Sequence, residues 1–409
     1  MIALLKLLFI FAGIVLLLNR KWNLGLVLTL ASIVVGLLFA HPPIEIGRDI
    51  VLATVDLLTL RLALIVVLIM ILGELLRQTA GLKGMVEGLQ ALIPNGRIVI
   101  AVLPPLVGLL PMVGGAMFSA PMVDEVGDRL GADGARKTFV NYWLRHIWEP
   151  ILPLYPSMLL AAELMGLTNT QMAKTMWPLV LAAVLGAFIF GLLGLPRSDD
   201  AVRPATTRAQ NLRVLATSTW PIALVIVLSL FLPIDERIRL ILSLVVTLGA
   251  MMAVAHTPLR EIITILRERI PWKSVALIFG AMIFRRVLET SGAVLATSAA
   301  LTDLGIPVVA VAFAVPFISG LLTGLMSAAF SIGFPVVLPL VTVDGGIVAS
   351  GWAVWLLAGG FLGTMCSPIH LCLALTRVYF NAEWGAVYRR IAPATLMIAA
   401  TAGAILLLA

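Results

Sequence analysis

The sequence predicts an all-α polytopic membrane protein of about ten transmembrane helices plus two re-entrant hairpins, arranged as two inverted repeats. Three observations predict it: too little charge to solvate a globule, apolar runs of bilayer length, and a glycine-rich window that occurs twice. Only 12% of the 409 residues are charged, about half of what a soluble domain carries, near 25%, and the mean hydropathy is +1.09. The net charge of +7 does not point to nucleic acid, because Arg and Lys sit mostly in short connectors between apolar runs, as positive-inside sorting requires.

Eight runs are long enough to span: Ile2–Leu18, Leu24–Ala40, Leu60–Leu76, Met172–Leu195, Val214–Leu232, Leu240–Ala255, Ser274–Leu288 and Ile391–Ala409. Each approaches the roughly 20 residues that a bilayer core demands. The first is followed by Asn19-Arg20-Lys21 and not by a small-residue cleavage site, so it reads as a retained helix. Thr138–Leu167 and Gly351–Phe380 are long but interrupted, and read as broken spans. Ile98–Val126 and Ile306–Val341 are rich in Gly and Pro, and read as re-entrant hairpins; the plain alternative is kinked ordinary helices. Irregular backbone at membrane depth survives only where protein or a water-filled cavity satisfies it.

With the N-terminus outside, the inner connectors hold most of the basic residues, including Arg20, Lys21, Arg77, Arg97, Arg129, Arg136, Lys137, Arg260, Arg269 and Arg390. The expected location is the cytoplasmic (inner) membrane of a prokaryote, multi-pass, with both termini outside. Ala201–Arg213 is the one credible linker and lies near the chain's middle. The expected organisation is an N-terminal two-helix scaffold (1–58), repeat 1 (59–196), linker and two helices (197–271) and repeat 2 (272–409).

The repeat shows in Gly108–Pro121 and Gly320–Gly333. At an offset of 212 they agree at Gly108/Gly320, Leu109/Leu321, Leu110/Leu322, Ala116/Ala328, Phe118/Phe330 and Ser119/Ser331, with Pro104/Pro316 upstream. Each half runs span, hairpin, broken span, span. An odd number of crossings between the two starts turns the second copy upside down, an architecture that in transporters places the site near the midplane.

Candidate site residues follow from this plan. Gly114, Gly115 and Gly324 suit hairpin tips, where sharp reversal and close backbone approach favour glycine. The arm after each tip begins a helix whose free N–H groups suit an anion, and Ser119, Ser327 and Ser331 add hydroxyls; the plain alternative is tight packing through small residues. In the first broken span Arg145, His146 and Glu149 are ionisable groups at depth, which mark ion or substrate paths. Pro150, Pro153 and Pro156 force the break. Glu149 and His146 are the ion-coupling candidates and Arg145 a substrate contact; a structural Arg145–Glu149 pair four residues apart is the plain alternative. In the second broken span Gly363, Thr364, Ser367 and His370 are expected to line the break at Pro368. Cys366 and Cys372 read as small core residues, and Arg285, Arg286, Glu74 and Arg77 as interfacial. No P-loop, zinc-protease motif or catalytic pair occurs, so neither an enzyme nor a bound cofactor or metal is expected.

The segments Arg145-His146-Ile147-Trp148-Glu149-Pro150 and Ser367-Pro368-Ile369-His370 through Thr376 resemble the ion transporter superfamily of gluconate, citrate, dicarboxylate and arsenite carriers and some antiporters. The chain is most similar to a prokaryotic integral membrane family of unknown function within it. The resemblance implies an elevator-type transport domain of hairpins and broken helices moving on a scaffold, and a homodimer. The dicarboxylate carriers' Ser-Asn-Thr tip signature is replaced here by Gly114-Gly115-Ala116 and Ser327-Ala328-Ala329. The expected function is ion-coupled secondary transport of a small organic anion, with a proton or sodium as coupling ion; the alternative is a cation/proton antiporter.

Overall fold

The computed structural model describes residues 2–79, 81–93, 95–110, 115–196, 207–342 and 348–409. Its described residues are almost all helical, with one isolated bridge between Thr342 and Val348. The chain opens with α1 (Ile2–Asn19), α2 (Leu24–Leu38) and α3 (Pro43–Val55). Next come α4 (Leu57–Gln78), α5 (Gly81–Leu92), α6 (Gly96–Gly108), α7 (Ala116–Arg129), α8 (Gly134–Arg145), α9 (Pro156–Leu164) and α10 (Asn169–Ala187), which ends in a π turn. The middle holds α11 (Arg208–Phe231), α12 (Glu236–Val254) and α13 (Leu259–Thr264). The rest is α14 (Trp272–Thr290), α15 (Ala293–Asp303), α16 (Val308–Thr323), α17 (Met326–Val337), α18 (Ser350–Cys366), α19 (Leu371–Tyr379) and α20 (Trp384–Leu408).

Among the described residues, six segments are long and apolar enough to cross a bilayer: α1, α4, α10 with its π turn, α11, α18 with α19, and α20. The protein is a helical membrane protein. Large apolar side chains on α1, α11 and α20, such as Phe9, Phe231 and Leu396, face outward, as a lipid-facing surface requires. Shorter apolar helices include α2, α6, α16 and α17.

Local chemistry sets the ends. Asn23 caps α2, Asp133 caps α8, and Thr168 with Gln171 and Thr207 with Gln210 form capping boxes at α10 and α11. Prolines make the breaks. Pro150 has no N–H for the carbonyl four residues back, so α8 stops at Arg145 and residues 146–155 continue as turns until Pro156, at the first helical position, starts α9. Pro368 forces Ser367 into extended backbone (φ −73°, ψ 123°), which ends α18. This places Gly363 and Thr364 inside the last turns of α18, ahead of the break they were expected to line.

The seven helices α4–α10 and the seven α14–α20 follow in the same order: long, short, two arms, two halves of a broken helix, long. Their contacts are reciprocal. The second arm α7 packs on α19 while α17 packs on α9; α8 packs on α20 while α18 packs on α10; α4 meets α14 and α10 meets α20. Close approaches hold the arms to the broken helices. A Cβ at Gly108 would collide with the Arg145 carbonyl oxygen, and one at Gly320 would lie 2.7 Å from the Thr364 backbone nitrogen, so the sequence-matched glycines both contact their own broken helix just before its break.

Candidate functional site

Three elements converge on one buried point: the turns after α8, the break between α18 and α19, and the tip between α16 and α17. The tip reverses at Gly324, whose φ of +65° favours glycine. It also sits so near the second break that an added Cβ would be 2.8 Å from the His370 backbone nitrogen. The Gly324 carbonyl accepts from His370 Nδ1 at 2.8 Å, and Ser367 Oγ donates to the Leu321 carbonyl at 2.7 Å. The second break is therefore stitched to its own hairpin.

His146, in the first break, crosses to the second. Its Nε2 lies 3.2 Å from His370 Nε2, and the rings meet edge to face at 73°. His146 Nδ1 bonds the Tyr142 carbonyl at 2.6 Å. The Tyr142 ring lies 4.8 Å from one imidazole and 5.5 Å from the other, and its hydroxyl donates to the Met365 carbonyl at 3.1 Å. Glu149 Oε1 is 3.8 Å from His146 Nε2. Cys372 completes the group: its sulfur and the two imidazoles offer ligand atoms within 4.8 Å of one another. His146, Glu149 and Cys372 are buried and His370 is half-buried.

The remaining candidates divide. Arg145 is 2% exposed and its Nη2 reaches the Leu110 carbonyl at 3.5 Å; Glu149 Oε1 lies 3.8 Å from His146 Nε2, and because α8 ends at Arg145, Arg145 and Glu149 do not share one continuous helix. Gly115 is buried at the start of α7. Gly114 lies outside the described residues. Ser119 Oγ donates to Asn141 Oδ1 at 2.6 Å, and Asn141 Nδ2 donates to the Ala116 carbonyl at 2.8 Å; Ser119 thus ties α7 to α8. Thr364 donates to the Gly360 carbonyl of its own helix at 2.9 Å. Ser327 is half-buried in the first turn of α17. Ser331 is fully buried, and its hydroxyl has no hydrogen-bond partner among the described residues.

Sequence reasoning missed Cys372, Tyr142 and Tyr155. Tyr155 donates to the Gly108 carbonyl across the first break. Tyr142 could have been found as the residue one helical turn before His146. The two-residue spacing of His370 and Cys372 at a helix start was the other available signal.

A family model described as "Protein of unknown function (DUF401)" matches residues 2–409. The chain belongs to the DUF401 family. No curated protein matches it. In this DUF401 chain, side chains from both broken helices share one centre, and that centre is rich in nitrogen, sulfur and carboxylate donors.

Proposed function

We propose that the protein is a secondary transporter of the ion transporter superfamily type, with two inverted repeats and about ten crossings. The observation that supports it most is the meeting of His146 and His370, each from a separate helix break, at 3.2 Å. Breaks in a membrane helix cost backbone hydrogen bonds and persist where they serve a buried site. Paired broken helices from two related halves are the arrangement of alternating-access carriers. The hairpins and broken helices form the moving unit in this reading, the outer helices form the scaffold in a homodimer, and the protein sits in a prokaryotic inner membrane with both termini outside.

The proposed cargo is a small organic anion, held near Arg145 and the helix starts at Gly115 and Met326, with a proton or sodium as the coupling ion at His146 and Glu149. Purified protein in proteoliposomes is expected to accumulate an anion from a broad carboxylate and oxyanion panel when a proton or sodium gradient is imposed, and to show saturable counterflow. Failure of every anion under both gradients would remove this version.

The centre's donor set favours one second reading, cation/proton exchange without an organic cargo. Glu149 and His146 lie 3.8 Å apart, in cation-binding reach. On that reading Glu149→Gln abolishes proton-linked sodium exchange in vesicles, and unchanged exchange in the variant would eliminate it.

A further inference from the structure

We propose that His146, His370 and Cys372, with Glu149 alongside, form a binding site for a borderline-soft divalent metal ion of the zinc class. The argument starts from the two imidazoles. His146 Nδ1 lies 2.6 Å from the Tyr142 carbonyl and His370 Nδ1 2.8 Å from the Gly324 carbonyl. A carbonyl oxygen only accepts, so both Nδ1 atoms carry the proton. Each neutral ring then presents a bare lone pair at Nε2, and these lone pairs face each other at 3.2 Å. Two lone pairs at that separation repel unless a cation lies between them.

A proton would serve two acceptors, but more than two donors converge. The Cys372 sulfur and both Nε2 atoms fall within 4.8 Å of one another, and Glu149 Oε1 approaches His146 Nε2 to 3.8 Å. Zinc–nitrogen bonds of about 2.0–2.1 Å in a tetrahedron put two ligand nitrogens about 3.3 Å apart, close to the spacing seen. Ring nitrogens fixed by backbone acceptors on the far side are also the usual support of metal-binding histidines. Two imidazoles, a thiol and a carboxylate suit a late first-row divalent ion over calcium or magnesium, which take oxygen ligands. Coordination displaces the Cys372 thiol proton to solvent as the metal–sulfur bond forms. Because His146 and Glu149 come from one broken helix and His370 and Cys372 from the other, the ion would bridge the two halves in this conformation.

The inference deepens the transporter reading, and its test needs no ion gradient, so either can fail alone. The full chain in lipid nanodiscs is titrated with Co2+ as the probe, then with Zn2+ in competition. One equivalent is expected to bind, with a sulfur-to-cobalt charge-transfer band and the intense visible bands of a four-coordinate ion. Cys372→Ser should erase the charge-transfer band, and His146→Ala or His370→Ala should weaken binding by at least about 100-fold, beyond what loss of a supporting contact costs. Cys366→Ser should leave both unchanged, since Cys366 faces Thr395 at 3.4 Å. Cys372→Ser is the conservative variant if an alanine variant does not fold. No charge-transfer band at one equivalent, or a band that survives Cys372→Ser, would overturn the site.

Discussion

Asp49 shows how a single buried charge organises one end of the molecule. Its carboxylate accepts from Thr290 Oγ1 at 2.6 Å and Arg286 Nε at 2.9 Å and lies 3.1 Å from His41 Nε2, which binds α3 to the end of α14. Burial alone would push the carboxyl up, but the Thr290, Arg286 and His41 contacts outweigh it and hold it below the ordinary 3.8. A folded pKa below the unfolded one contributes stability that is complete at neutral pH and is lost as pH falls through the folded value. Asp49→Asn is therefore expected to cost about 1–3 kcal/mol at pH 7. In thermal scans the gap between wild type and variant should stay constant down to pH about 5 and close below about 4. A gap that widened on acidification would contradict this. The sequence flagged Arg286 as interfacial and gave His41 no role, because nothing in a linear pattern reveals that residues 41, 49 and 286 share one carboxylate. Glu149 and His146 were legible for the opposite reason: ionisable groups inside an apolar, proline-rich run carry their own signal.

Among the elements, the long apolar helices and both proline breaks were readable, since length, hydropathy and missing N–H groups are local properties. The short helices α3, α5, α13 and α15 were not, because they lie in stretches of mixed polarity that read as connectors. Close helix crossings were also hidden. At the crossing of α2 and α14, a Cβ on Gly280 would meet the Gly25 carbonyl oxygen and a Cβ on Gly25 the Ala276 carbonyl oxygen, so the two backbones touch in the manner of small-residue packing in bilayers. Gly280→Leu is expected to force the helices apart and to cost about 1–3 kcal/mol or more, read as a lowered melting temperature in detergent. Gly249→Leu, at a glycine with open space around it, should leave the melting temperature nearly unchanged. Equal effects of the two substitutions would refute the packing argument.

At the scale of the whole molecule, α4–α10 and α14–α20 follow in the same order, and α7 with α19 and α17 with α9 make matching contacts, which supports the duplication proposed from seven matched positions such as Gly108 and Gly320. The pairing of the two breaks was not legible. His146 and His370 are 224 residues apart in the chain, and only the folded arrangement of the two halves brings them together. The inverted sense of that arrangement is the claim on which carriage across a membrane rests. It is tested most directly by labelling one cysteine at a time in a Cys366→Ala, Cys372→Ala background. Gln78→Cys and Glu289→Cys occupy exposed positions in the last turns of α4 and α14. In sealed vesicles of known orientation, an impermeant maleimide should reach Gln78→Cys only from the cytoplasmic face and Glu289→Cys only from the opposite face. Labelling of both from the same face would show that the two halves point the same way, and would contradict the account.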